Sequence, residues 1–327
     1  MYLVTGGAGF IGSNLVAALS EAGAEVVVCD WLRQDERWRN LAKHEIADLL
    51  APEALAGWLR QYAGDVEAVV HLGAISSTTE TDVDLIVRNN TRSTLDLLTW
   101  CTDTGRRFIY ASSAATYGDG SAGFDDDASR AALGRLRPLN AYGWSKHVVD
   151  RRIARLTEQH RPLPPQCVGL KFFNVYGPNE YHKGGMQSAI ARNFEAVRRG
   201  ESMRLFRSHR ADYADGMQLR DFVYVSDCVA VMLWLLDNPG VSGLFNLGTG
   251  IARSWLELAN ALFAATDRPA RIEFIDMPQP LLAQYQYFTQ ASLARLRQAG
   301  YRKPFTTLEA GVEDYVRRYL AESDPYR

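Results

Sequence analysis

The stretch that most constrains this chain is its first thirteen residues, MYLVTGGAGFIGS. Residues 2–5 are a short, β-branched apolar run of the kind that forms a buried strand. Gly6, Gly9 and Gly12 follow at three-residue spacing, and an amphipathic helical pattern begins at Ser13. In a strand–glycine turn–helix unit one glycine makes the tight turn, one lets backbone approach a pyrophosphate and one lets helix and strand pack closely. The anion then rests on the helix N-terminus, where unpaired N–H groups point outward. Asp30 closes the next apolar run, residues 25–29, at roughly the 20-residue distance expected of a carboxylate that bonds a ribose. The spacing predicts dinucleotide binding.

The alternation continues beyond Asp30. The pattern predicts strands over 44–48, 66–71 and 107–112, and helices over 52–62 and 82–104, the second carrying Asn89 and Asn90. The LGAISSTT run after His71 has the small residues that suit backbone lying against a ligand. This rhythm predicts an α/β fold, a Rossmann-type doubly wound parallel sheet with ligands at the carboxyl ends of its strands. Beyond Asn174 it loosens into a smaller α/β substrate domain. There we expect helices over 186–199, 227–236, 256–265, 292–299 and 308–319, strands over 203–206, 221–225 and 272–275, and a polar loop over 207–219. The run 244–247 reads as a strand returning to the main sheet. The expected organisation is a dinucleotide-binding domain of residues 1–174 plus about 220–248, and a substrate domain of about 175–219 plus 249–327.

Composition excludes some function classes. A net charge of −2 and a pI near 6.3 give no field that favours nucleic acid or anionic membrane. No apolar run approaches the ~18 residues needed to span a bilayer, and a strand starting at residue 2 leaves no room for a leader, so a cytoplasmic location is expected. Cys29, Cys101, Cys167 and Cys228 are widely separated in apolar contexts and read as reduced core residues rather than metal ligands. Only five lysines, Lys43, Lys146, Lys171, Lys183 and Lys303, stand against 31 arginines, and lysine can give up its proton where arginine cannot.

Two of those lysines fall in motifs. Tyr142 and Lys146, four apart on a predicted helix, share a face, where an ammonium beside a phenol favours phenolate and makes the tyrosine a general base for an alcohol losing hydride. The pair follows a strand ending in Ser112 and Ser113. With that order in place, the chain resembles the extended short-chain dehydrogenase/reductases of the nucleotide-sugar-modifying group. The segments YASSAATYG, PLNAYGWSK, FFNVYGPNEYHKGGM, LRDFVYVSD, FNLGTG and YQYFTQA carry the resemblance across nearly the whole chain. HKGGM and YQYFTQA are similar to those of members that invert C6 of an ADP-activated heptose for lipopolysaccharide core.

The resemblance implies roles for particular residues. Tyr142 would be a catalytic acid/base, Lys146 its partner and cofactor clamp, Ser113 a hydroxyl holding the reacting oxygen, and Lys183 the second acid/base. Gly6, Gly9, Phe10, Ile11, Gly12, Asp30, Trp31, Arg37, Leu72, Gly73, Ala74, Ile75, Ser76, Asn89, Val175, Lys146 and Lys183 would touch a tightly bound NADP, with NAD as the alternative. Ser113, Asn174, Gly185, Arg192, Arg220 and Tyr285 would touch the sugar nucleotide. A homo-oligomer is also implied. The chain departs from the family pattern at Trp31, Arg37, Pro52, Gly185 and Arg192. Ala114 and Ala115 stand where related dehydratases carry an Asp-Glu pair, which argues against dehydration. A nucleotide-sugar 4-epimerase has no evident use for Lys183, and a non-catalytic dinucleotide sensor has no reason to keep Ser113, Tyr142 and Lys146.

Overall fold

The strands fall in chain order at Tyr2–Thr5 (β1), Val26–Cys29 (β2), Asp48–Leu50 (β3), Ala68–His71 (β4), Arg107–Ser113 (β5), Cys167–Phe172 (β6), Asn174–Tyr176 (β7), Met203–Phe206 (β8), Leu219–Arg220 (β9), Phe222–Tyr224 (β10), Gly243–Leu247 (β11), Arg253–Ser254 (β12) and Ile272–Ile275 (β13). They come from a computed structural model that describes residues 1–282 and 285–327. One parallel sheet runs β3-β2-β1-β4-β5-β6-β11, the Rossmann-type arrangement expected from the sequence. Strands covered on both faces become continuous apolar runs, as in the fully buried VVVC of β2.

Alternate residues feed two cores. Val4, Val70 and Ile109 face helices Phe10–Glu21 and Val225–Asp237, whereas Leu3, Val69 and Phe108 face helices Ser93–Thr104 and Ala141–Glu158. A further core joins helices Ala189–Arg198, Trp255–Ala265 and Leu308–Tyr315 to β8 and β10. The chain moves outward from β1 through β2 and β3 and returns on the other side at β4. Strand order therefore reverses beside β1, where open α/β sheets bind ligands.

Three of the differences between the structure and the sequence-based expectations have an evident local cause. The third strand is Asp48–Leu50 rather than 44–48: an edge strand, largely exposed, takes its register from β2, with Val27 opposite Asp48, and not from its own apolar pattern. The helix expected over 82–104 contains a π-turn at Val87–Arg92, where the Ser93 and Thr94 hydroxyls bond back to the Asn89 and Asn90 carbonyls. The strand expected over 221–225 is Phe222–Tyr224, and Asp221 separates it from a short strand at Leu219–Arg220. The Asp221 carboxylate turns inward to accept from the amides of Thr249, Gly250 and Ala291, so β9 pairs with β12 and β10 with β7. The four cysteines are buried and free. Among the described residues no helix is long and apolar enough to cross a membrane.

Candidate active site

The glycine turn lies at the strand reversal. Gly6 takes φ +68°, and a Cβ on Gly12 would stand 2.1 Å from the Gly6 carbonyl oxygen, so the helix can seat on the turn only without a side chain there. Asp30 closes one side: its carboxylate accepts from the Ala8 amide (3.0 Å) and the Trp31 amide (2.8 Å). The turn after β4 closes the other, with Leu72 N donating to Thr5 O (3.0 Å) and Gly73 N to Thr5 Oγ1 (3.3 Å). A cavity of about 460 Å³ between them is lined by Gly6, Asp30, Trp31, Arg33, Arg37, Asn89 and the Gly73, Ala74 and Ile75 segment. Ser76, at the end of that segment, is exposed. Arg37 is gripped by Asp35 through Nε and Nη2 (both 2.8 Å). We expect Gly12→Ala to cost about 1–3 kcal/mol or more by overpacking. It should also strip the protein of nucleotide, as read from a thermal melt and the nucleotide released on denaturation.

The Tyr142 helix Ala141–Glu158 starts at Asn140, whose Oδ1 accepts from Gly143 N (2.8 Å). Ser113 ends β5, and its hydroxyl accepts from Ala115 N (3.1 Å). The two meet at the phenol: burial pushes Tyr142 up from the ordinary tyrosine value, and its interaction with Ser113 pulls it down. The sequence pointed to Lys146 as the group favouring phenolate. Here burial acts on both charges at once, lowering Lys146 to about 8 and raising the phenol. Lys146 is 2% exposed, and its Nζ has no partner among the described residues. A buried ammonium of that kind fits a ligand that brings hydroxyl oxygens, and the glycine cradle fits one that brings phosphates, so these residues suit a dinucleotide.

Beneath Lys146 lies a group that the motifs did not reveal. Asp150, one turn further along the same helix, accepts from Tyr110 Oη (3.0 Å), Ser112 Oγ (2.7 Å) and Lys171 Nζ (2.8 Å). Lys171 also donates to Thr116 Oγ1 (2.5 Å) and lies 4.8 Å from the Tyr117 ring centroid. Asp150 opposes the lowering of Lys146. The four-residue spacing of Tyr142, Lys146 and Asp150 was the available signal. Nothing in the sequence distinguishes Asn90 from its neighbour Asn89, yet its Oδ1 accepts from Ile75 N (2.8 Å) and its Nδ2 donates to Ile75 O (2.9 Å) and Ser145 Oγ (3.1 Å), tying the cavity wall to the Tyr142 helix.

Lys183 sits in the turn Tyr181–Met186, its Nζ 4.9 Å from the Phe10 ring centroid at the start of the glycine-turn helix. Phe10 is buried, with Ile11 half-buried after it. Burial lowers the Lys183 pKa and Glu180 opposes that shift. Among the described residues no hydrogen bond joins Lys183 to Tyr142. Arg220 is 6% exposed, its guanidinium 5.0 Å from the Tyr285 ring centroid; among the described residues its hydrogen bond is Nη1 to Leu219 O (2.8 Å), with no carboxylate partner. Asn174 and Val175 open β7 next to it, with Asn174 N donating to Asp221 O (3.1 Å). Gly185 and Arg192 are both exposed and joined by Arg192 Nη1 to Gly185 O (3.4 Å).

A parallel sheet whose glycine turn, carboxylate and unpartnered lysine gather at its strand reversal defines a dinucleotide-binding protein. Residues 2–248 match the NAD dependent epimerase/dehydratase family, and the chain belongs to that family. It is 51% identical over 329 residues, with 100% of both chains covered, to the ADP-L-glycero-D-manno-heptose-6-epimerase of Nitratidesulfovibrio vulgaris. The structure is similar to that of the Helicobacter pylori ADP-L-glycero-D-manno-heptose-6-epimerase (TM-score 0.79, 29% identity, 97% of this chain and 95% of that one). It is also similar to the Thermus thermophilus UDP-glucose 4-epimerase in complex with NAD (TM-score 0.74, 26% identity, 96% and 97%). The cofactor is a nicotinamide dinucleotide.

Proposed function

We propose that this protein is an epimerase that inverts C6 of the heptose in ADP-glycero-manno-heptose, using bound NADP and supplying activated heptose for lipopolysaccharide core. The observation that carries this reading over other nucleotide-sugar chemistry is the 51% identity, across all of both chains, to a relative bearing that name. When bound, the nicotinamide ring supplies reversible hydride exchange. The protein's own part is to handle the proton on the C6 oxygen. Inversion requires that oxygen to lose a proton in one orientation and regain it in another, more than one fixed group easily serves.

Tyr142 serves one orientation, with Ser113 holding the oxygen and Lys146 placed beneath. Lys183, half-buried and with its pKa lowered by that desolvation, is able to release its proton and serves the other. Arg33 and Arg37 line the same cavity as Asp30, which supports NADP: a carboxylate alone repels a 2′-phosphate, and cations beside it reverse that preference. Arg220, buried without a carboxylate, is suited to the substrate diphosphate, with Tyr285 beneath it. Arg220→Ala should raise KM about 10- to 100-fold, the worth of a charge-assisted hydrogen bond, with a smaller change in kcat; an unchanged KM in the folded variant rules the role out.

Incubation with ADP-D-glycero-D-manno-heptose tests the activity, with UDP-glucose as control and the nucleotide released on denaturation identified in parallel. The L-glycero epimer and released NADP are expected. Turnover of UDP-glucose alone contradicts the substrate, and NAD alone contradicts the cofactor.

A further inference from the structure

Residues 324–327 come back across the molecule to the turn that carries Lys183. Tyr326 is 8% exposed, its ring edge-on to Tyr181 (centroids 5.2 Å apart, planes at 85°) and 4.5 Å from the Arg39 guanidinium. Tyr181 Oη donates to Pro325 O (2.8 Å), and Arg327 N donates to Asn179 Oδ1 (2.9 Å). Lys43 fixes the same segment from the other side, donating to Tyr326 O (2.6 Å) and pairing with Asp324 (3.0 Å).

The residues so held are the ones that lead into Lys183. Asn179 takes φ +71°, a left-handed conformation that a side-chain bond helps to keep. Its Nδ2 reaches Ser13 Oγ (3.0 Å) on the glycine-turn helix, and its carbonyl accepts from Asn40 Nδ2 (3.2 Å). On the far side of Lys183 the turn is closed by Gln187, whose Nε2 donates to Tyr181 O (2.6 Å) and whose amide donates to Gly184 O (3.1 Å). Gly184 and Gly185 are exposed, and a Cβ on either would meet no atom within 4 Å. The turn that places the Lys183 ammonium over Phe10 therefore takes its outer wall from Tyr326, packed on Tyr181.

We infer that Tyr326 is a positioning residue for Lys183, acting through Tyr181 and Asn179; this rests on the reading of Lys183 as an acid/base. A misplaced acid/base reacts slowly without changing how substrate binds. Tyr326→Ala should accordingly lower kcat about 10- to 100-fold with KM for the sugar nucleotide and the nucleotide content unchanged. Tyr326→Phe, which keeps the ring against Tyr181, should restore turnover. In a Lys183→Met background Tyr326→Ala should add no further loss, because two residues acting through one group are not additive.

Three results overturn the inference: wild-type kcat in Tyr326→Ala, failure of Tyr326→Phe to restore it, or the same factor lost again in the Lys183→Met background. If Lys183→Met itself turns over normally, the reading of Lys183 is what fails. Should Tyr326→Ala not fold, Tyr181→Phe, which removes the bond to Pro325 and keeps the ring, is judged by the same three comparisons, with Tyr181→Leu as its non-conservative arm.

Discussion

Tyr142→Phe is expected to lose roughly 10²–10⁴-fold in turnover, the usual worth of a positioned acid/base, while keeping its nucleotide. The substitution deletes one hydroxyl and leaves the ring in place at the head of its helix, so the cavity at the glycine turn is untouched. The phenol is poised by opposing influences, burial raising its pKa and Ser113 lowering it. Ser113→Ala should therefore reduce turnover in the same direction by a smaller factor. Steady-state kinetics with nucleotide content measured on each preparation checks both; loss of nucleotide in Tyr142→Phe would point to a structural role.

The largest effect on stability is expected from Asp150→Ala. That change leaves the Lys171 ammonium buried without its carboxylate and removes the acceptor of Tyr110 and Ser112. Breaking one side of a buried pair costs about 3–5 kcal/mol, a large part of the roughly 5–15 kcal/mol that holds a domain together. Removing both charges is far milder, so Lys171→Met added to Asp150→Ala should recover much of the loss. Urea unfolding of the single and double variants measures this, and a single variant within about 1 kcal/mol of the parent would show that the pair bears little on the fold.

How far the sequence disclosed these arrangements depends on how local their causes are. The glycine turn was legible because its constraints are carried by single residues: Gly6 must take positive φ, and Gly12 has no room for a methyl group. The β2 run, and the β4 run up to His71, were legible because strands covered on both faces are apolar along nearly their whole length. The π-turn at Val87–Arg92 was not, since Ser and Thr bond back to helix carbonyls in ordinary helices too. Asp150 could have been found by extending the Tyr142–Lys146 spacing one more turn, but its partner Lys171 lies on β6, a contact only folding reveals. The hold of Tyr326 on Tyr181 is more distant still, between residues 145 apart in sequence with no shared pattern.

The opposed roles of Tyr142 and Lys183 are tested most directly by following C6 configuration in ADP-D-glycero-D-manno-heptose by NMR, with the parent protein, Lys183→Met and Lys183→Arg side by side. A guanidinium carries the same charge as an ammonium but cannot give up its proton. If Lys183 is the second acid/base, the parent yields the L-glycero epimer while both variants bind the sugar nucleotide and leave C6 essentially uninverted. Near-normal formation of the L-glycero epimer by Lys183→Arg would contradict it and reduce Lys183 to a charge that neutralises the substrate diphosphate.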